Sequence, residues 1–164
     1  MPIGFLPSEV VANGSALLVP GAGLFEFGVL QSTMHMAWLR ATAGRMKSDY
    51  QYSAQIVYNN FPWPEPSDAQ HKAIESAARS VLDARAQFPG STLADLYDPL
   101  TMPPVLVKAH QKLDAAVDAA YGRKNFRNDA ERVAFLFELY QRLTSLLPAA
   151  ARPRKAKPRP DTLA

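Results

Sequence analysis

Three prolines within five residues, at positions 62, 64 and 66, constrain this chain of 164 residues more than any other feature. Each proline lacks a backbone donor and biases the residue before it toward an extended conformation. Neither a helix nor a central strand can therefore run through residues 59–66. We expect a domain boundary here, with residues 1–64 on one side and residues 65–147 on the other.

The part before this boundary predicts short strands and one long helix. Residues 8–20 place two apolar runs around Asn13-Gly14, a pair typical of a tight hairpin turn. Apolar residues then recur at intervals of three and four across residues 24–43, which predicts a single helix that ends at Gly44. Residues 47–52 and 55–58 are rich in aromatic and β-branched residues and favour an extended chain.

The part after the boundary predicts three helices. Ser67 is a typical cap for a helix that runs to about Gln87, and a short turn at residues 93–97 follows. Pro103-Pro104 opens a helix that ends before Gly122, and Asn128 begins a third that Pro148 closes. The predicted fold class is α+β, mostly α, with short N-terminal β segments and one long helix followed by a small helical bundle.

Positive charge is concentrated in the last 17 residues. Residues 148–164 contain five basic residues against Asp161 alone, whereas residues 1–64 carry three basic and three acidic groups. This proline-rich basic tail has Leu163 as its one large apolar residue and so almost nothing to bury, and it is expected to be disordered. The basicity of the whole chain therefore does not indicate a DNA-binding surface on its folded part.

Several classes of chemistry find no support in the composition. The chain has no cysteine, which excludes disulfides and thiolate chemistry. It has no apolar run long enough for a membrane span and no signal-peptide pattern, so we expect a soluble, cytoplasmic protein without a membrane partner. The three histidines lack metal-ligand spacing, which predicts no metal site: His35 is expected to be a hydrogen-bonded structural residue, and His71 and His110 to lie on solvent faces.

Two segments resemble parts of a methyltransferase centre and are rejected. The glycine-rich residues 20–23 follow an apolar run, but the acidic residues that accompany a cofactor loop are missing. Asn60-Phe61-Pro62-Trp63 has the asparagine and aromatic residue of an Asn-Pro-Pro-Tyr motif, but Phe61 replaces the first proline. We therefore predict no catalytic residue and no cofactor-binding residue in this chain.

The segment from Arg45 to Tyr58 offers side chains suited to reading bases. On a strand, Lys47, Asp49 and Gln51 would share one face and present a donor, an acceptor and an amide that is both. A lysine donates to guanine O6 and N7, and a carboxylate accepts from cytosine N4, so Lys47 and Asp49 suit one G·C pair. An exposed strand with a solvated ion pair is the alternative interpretation of the same spacing.

Residues 27–64, FGVLQSTMHMAWLRATAGRMKSDYQYSAQIVYNNFPWP, resemble the end of the target recognition domain in MmeI-like, S-adenosylmethionine-dependent DNA methyltransferases. The resemblance continues through residues 93–98, 102–104, 109–114 and 131–133, in what would be the family's C-terminal helical domain. It implies that Lys47 and Asp49 read bases, with Gln51, Tyr50 and Tyr52 as weaker candidates. A place in the core is an equally good interpretation of Tyr52. Arg40 and Arg45 are candidates for contacts to DNA phosphates.

The family implies a large restriction–modification enzyme that methylates the exocyclic amine of adenine. Its nuclease, cofactor and catalytic motifs belong to upstream domains, so this chain alone is not expected to methylate DNA. S-adenosylmethionine would bind the full-length enzyme, and the methyltransferase core would be a missing upstream domain or a separate chain. The expected partner is double-stranded DNA. Two alternatives stay open: a non-enzymatic helical interaction module whose tail binds nucleic acid nonspecifically, or an inactive gene fragment.

Overall fold

A computed structural model describes residues 3–14, 16–47, 49–123 and 126–145, and it is mostly helical. Six α-helices, one π-helical turn and one two-stranded sheet make up the regular structure of these residues. In chain order they are α1 Leu24–Gln31, α2 Thr33–Thr42, β1 Gly44–Met46, β2 Asp49–Gln51, a π-helical turn Ala54–Tyr58, α3 Asp68–Ala86, α4 Leu93–Leu96, α5 Pro104–Ala120 and α6 Asp129–Thr144. The mostly helical α+β class is therefore confirmed, whereas the predicted basic tail lies outside the described residues.

The second half follows the sequence pattern closely, because its helix ends are set locally. The Ser67 side chain accepts a hydrogen bond from Gln70 N, and the Gln70 side-chain oxygen accepts one from Ser67 N, which completes a capping box at the start of α3. Pro104 occupies the first turn of α5, and Asn128 caps α6 by accepting from Glu131 N. The predicted helix stop at Gly122 has the left-handed φ of 74° that favours glycine there. Pro148, expected to close the last helix, lies outside the described residues.

The single long helix predicted for residues 24–43 is wrong, because the chain breaks at Ser32. Ser32 has an extended backbone, and its hydroxyl donates to Val29 O at 2.6 Å. Asp114 of α5 then accepts hydrogen bonds from Thr33 N at 2.7 Å and from the Thr33 hydroxyl at 2.6 Å. A serine cap and a tertiary carboxylate thus satisfy donors that a continuous helix would have bonded internally.

The strand pair predicted around Asn13-Gly14 is also wrong. A turn forms, because Ala16 N donates to Asn13 O at 3.1 Å, but the described residues on either side are not in strands. Their apolar side chains are exposed, Val11 to 94%. A two-stranded ribbon with neither face covered is marginal in water, so apolar alternation alone does not hold these residues together.

One hydrophobic core spans the predicted boundary at residues 62–66. Helix α1 packs on α3, α3 packs on α5, and α2 packs on α6, so helices from before and after the prolines share a single interior. Trp38 of α2, for example, lies beside Phe137 and Tyr140 of α6 with ring centroids 5.1 and 5.9 Å away. The largest fully buried side chains among the described residues of this core are Trp38, Met34, Leu39, Ile74, Leu106, Leu113 and Leu136.

Candidate nucleic-acid interface

The β1–β2 hairpin, residues 44–51, projects from the end of α2. Its strands are antiparallel, with Gly44 opposite Gln51, Arg45 opposite Tyr50 and Met46 opposite Asp49. All of its described residues are exposed. Because the structure pairs these two strands only with each other, the hairpin is an isolated two-stranded ribbon.

Lys47 lies in the turn of this hairpin and not on a strand face. The prediction that Lys47, Asp49 and Gln51 share one face of one strand is therefore wrong for Lys47, because the chain reverses between Met46 and Asp49. Asp49 and Gln51 do lie two apart on β2 and point to the same side. Lys47 in the turn and Asp49 at the start of β2 both nevertheless lie at the turn end of the ribbon.

The backbone of Lys47 is in the left-handed region, with φ of 57°. A two-residue hairpin turn requires positive φ at its first position, which glycine, asparagine and aspartate accept most easily. A lysine there costs roughly 1–2 kcal/mol relative to an ordinary backbone conformation. Turn geometry alone therefore does not account for a lysine at this position.

Arg45 and Tyr50 occupy the other face of the ribbon and contact each other. The Arg45 guanidinium donates to the Tyr50 hydroxyl at 2.8 Å and lies 4.5 Å from the centre of its ring. Such a cross-strand cation–π pair is worth about 0.5–1 kcal/mol at an exposed site. It stabilises the ribbon and leaves a positive charge on its surface.

Arg40 lies on α2 and is paired with a different element. Its guanidinium donates to Asp129 of α6 at 2.5 Å, and both side chains are nearly half exposed. The structure thus brings Lys47, Asp49, Gln51 and Arg45 together on one ribbon, and it places Arg40 at the junction of α2 and α6.

The segment that follows the hairpin is held against α2 by contacts that the local sequence pattern does not indicate. Tyr52 follows β2 directly, and its hydroxyl is 3.0 Å from Nε2 of His35. His35 is fully buried, and its ring meets Phe61 edge-on with centroids 4.6 Å apart. Farther along, the indole N–H of Trp38 donates to Val57 O at 3.0 Å. The predicted structural role of His35 is confirmed.

Burial fixes the protonation of this pair. Removal from water lowers the pKa of His35 to about 4 and raises the pKa of Tyr52 to about 12. Both groups are therefore neutral at physiological pH, and the bond between them is a neutral hydrogen bond.

The π-helical turn Ala54–Tyr58 replaces the extended segment predicted for residues 55–58. The Ser53 hydroxyl accepts a hydrogen bond from Ile56 N, and the Asn60 amide donates to Gln55 O at 2.7 Å and to Ile56 O at 3.1 Å. These polar side chains close the turn at both ends, which an alternation of side chains cannot predict. Asn60 thus has a structural function, because its amide closes the turn.

The glycine-rich residues 20–23 lead directly into α1. Gly23 caps α1, and its N–H donates to the Glu26 carboxylate at 2.7 Å. The apolar residues 16–19 before it are not a strand. A carboxylate thus occupies the helix start where a cofactor loop would present free N–H groups.

His110 does not lie on a solvent face as predicted. Its Nε2 is 2.7 Å from the Tyr97 hydroxyl, to which Arg85 of α3 also donates, and burial lowers the pKa of His110. His71, in contrast, keeps 43% of its side chain exposed and stacks on Phe25. Within the described ranges, histidines and acidic residues form no group of three able to hold a metal ion. No helix in this part of the chain is long and apolar enough to cross a membrane.

Comparison with known protein families shows to which family the chain belongs. The family model of the MmeI target recognition domain matches residues 1–65, and that of the MmeI C-terminal domain matches residues 66–148. The chain belongs to the MmeI family. Its two parts match the target recognition domain and the C-terminal domain of that family.

Two relatives show how much of an MmeI-like protein is present. DNA methyltransferase A of Bacillus subtilis (strain 168) is 43% identical over 144 residues, which are 88% of this chain and 16% of that protein. The solved structure of the type IIL restriction-modification enzyme MmeI in complex with DNA is 55% identical, with a TM-score of 0.75 over 77% of this chain and 17% of that one. The chain thus spans about a sixth of the length of these MmeI-like proteins.

Proposed function

We propose that this chain recognises double-stranded DNA through the β1–β2 hairpin, as part of an adenine-N6 DNA methyltransferase. Residues 1–64 would be the end of the target recognition domain, and residues 65–147 the helical domain that supports it. The observation that carries the proposal is the exposed ribbon with Lys47 and Asp49 at its tip, in a chain of the MmeI family.

The shape and chemistry of the hairpin fit the major groove. This groove admits a two-stranded β-ribbon, and it presents guanine acceptors and the cytosine amino donor at its floor. Lys47 supplies a donor, Asp49 an acceptor and Gln51 an amide on the same side of β2 as Asp49. Arg45 on the opposite face is suited to a phosphate beside the groove, and Arg40 is a second candidate for a phosphate contact.

Methyl transfer would be carried out elsewhere. The relative from Bacillus subtilis is a DNA methyltransferase, and the homologous region is a small part of it. We propose that the methyltransferase core, in the same polypeptide or in a separate chain, binds S-adenosylmethionine and the adenine to be modified. Enzymes of this kind act on DNA inside the cell, so the proposal includes a cytoplasmic location.

The experiment is a titration of the complete chain with a labelled duplex of random sequence, followed by sequencing of the bound pool. We expect Lys47→Ala to weaken binding and to change the selected bases at one position, because each matched base contact contributes about 1–3 kcal/mol of discrimination. Lys72→Ala, which removes an exposed lysine from α3, is the matched control and should leave the selected bases unchanged.

Deletion of residues 148–164 distinguishes the proposed recognition by the hairpin from the alternative, in which the basic tail alone binds nucleic acid. Under the proposal, loss of the basic tail lowers affinity equally for all sequences and reduces the salt dependence. If binding disappears without the tail, and Lys47→Ala has no effect on the selected bases, the chain is a helical module with a nonspecific nucleic-acid-binding tail.

A further inference from the structure

We infer that His35 and Tyr52 are positioning residues for DNA recognition, which set the direction in which the β1–β2 hairpin leaves the helical core. This inference rests on the proposed function of the hairpin. Neither residue reaches the tip of the ribbon; both would act through the place at which they hold its second strand.

The hairpin needs such a support because it has few contacts of its own. Its side chains are exposed, and its two strands pair only with each other. At one end the chain continues from α2, where Ala43 N donates to Leu39 O at 2.8 Å. At the other end Tyr52, half buried, is the first residue whose side chain reaches the core. The orientation of the ribbon is therefore fixed by its two connections.

A small change in the direction of the backbone at Tyr52 produces a large displacement at the tip of the ribbon. Lys47 and Tyr52 are separated by about four residues of strand, or roughly 13 Å along the ribbon. A tilt of about 10° would move the tip by roughly 2 Å over that length. A shift of this size takes a hydrogen bond to a base edge beyond its usual range.

The presence of a histidine at position 35 supports a role for this residue beyond packing. His35 is fully buried, and its Nδ1 has no hydrogen-bond partner among the described residues. An imidazole with one nitrogen unsatisfied is less favourable in a core than an apolar side chain of similar size. What the histidine provides instead is a directional bond from α2 to Tyr52, while its ring also contacts Phe61.

The test uses the absence of cysteine in the chain. Met46→Cys, on the exposed end of β1, and Arg79→Cys, on the exposed face of α3, allow two spin labels to report the distance from the ribbon to the core. We expect Tyr52→Phe and His35→Leu each to broaden that distance distribution. Tyr121→Phe is the matched control, because the Tyr121 hydroxyl donates to Pro62 O at 2.9 Å and does not contact the hairpin.

Broadening in Tyr52→Phe but not in Tyr121→Phe supports the inference. Unchanged distributions overturn it, and so does equal broadening in both, which would indicate general loosening. If His35→Leu fails to fold, Tyr52→Phe alone decides.

Base preference gives the functional measurement. In the random-duplex selection, Tyr52→Phe should reduce the preference for the selected bases by about fivefold, the effect of one net hydrogen bond, while nonspecific affinity is retained. Full retention of base preference would overturn the role in recognition. If the wild-type chain shows no base preference, the proposed function fails, whereas the distance measurement still decides whether His35 and Tyr52 orient the hairpin.

Discussion

Gly28 marks the closest approach of α1 to its neighbours. A Cβ at this position would lie 2.8 Å from Ile74 and 3.2 Å from Ala78, both in α3, and 3.2 Å from Leu113 in α5. These neighbours are themselves buried and cannot withdraw into solvent. The absence of a side chain at residue 28 is therefore what allows three helices to meet.

We expect Gly28→Val to lower the free energy of unfolding by roughly 1–3 kcal/mol, because the added methyl groups overpack the core. Denaturant titration followed by circular dichroism measures this change. Gly44→Ala is the control, since a Cβ at residue 44 meets no atom within 4 Å. A valine variant as stable as the control would show that the helices separate easily.

Lys47 and Asp49 allow a sharper prediction at the scale of single residues. In a complete MmeI-like enzyme carrying this segment, Lys47→Glu together with Asp49→Arg should move the preference at one base pair from G·C to C·G. The reason is that the donor and the acceptor exchange places at the tip, and each is matched to one base. Mapping of methylated sites measures the change, and unchanged sites would refute the assignment of these two residues.

At the scale of elements, α5 and α6 are joined by a buried ion pair. Arg132 of α6 donates to Asp118 of α5 at 2.7 Å, and both side chains are about one-tenth exposed. Burial raises the pKa of Asp118, against the opposing effect of the Arg132 guanidinium. This carboxylate therefore depends on its partner to compensate for lost hydration.

We predict that Arg132→Ala lowers the free energy of unfolding by about 3–5 kcal/mol, because it leaves Asp118 buried without its cation. The double variant Asp118→Leu with Arg132→Leu should recover much of that loss. Thermal or denaturant unfolding of both proteins checks this pair of expectations. Similar stability of the two variants would mean that the charge of Asp118 reaches water when Arg132 is absent.

The sequence predicts three of the helices correctly. Helices α3, α5 and α6 follow their patterns because Ser67, Pro104 and Asn128 set their starts through contacts within a few residues. The break at Ser32 depends in part on Asp114, 81 residues beyond Thr33, which no local pattern can indicate.

Within the candidate site, the sequence identified the residues of the ribbon but not its geometry. Spacing assigned Lys47 to a strand, whereas pairing of Met46 with Asp49 places it in the turn. His35 was expected to be structural, but its hydrogen-bond partner was not identified. That partner, Tyr52, lies 17 residues away and was considered as a weaker candidate for reading bases. The support of a site depends on distant contacts, and these leave little trace in local sequence.

At the scale of the whole molecule, the buried His35 makes stability depend on pH. Its pKa is about 4 in the folded chain, below the ordinary value of 6.5, so the unfolded chain binds the proton more tightly. This contribution is fully present above pH 6.5 and is lost as the pH falls from there toward 4.

We expect the wild-type chain to lose on the order of 3 kcal/mol more stability than His35→Gln between neutral pH and pH 4. The variant controls for the carboxylates, which titrate in the same range in both proteins. Denaturant unfolding at a series of pH values provides the comparison. Parallel curves for the two proteins would contradict a depressed pKa for His35.

The single core that runs across residues 62–66 also limits how such a protein can acquire a new specificity. Recombination at the prolines would join α1 and α2 of one parent to α3, α5 and α6 of another, and their interlocking surfaces would no longer match. Substitutions at the tip of the ribbon disturb none of that interior. Diversification among relatives is therefore expected to proceed by point changes on a retained scaffold and not by exchange of halves.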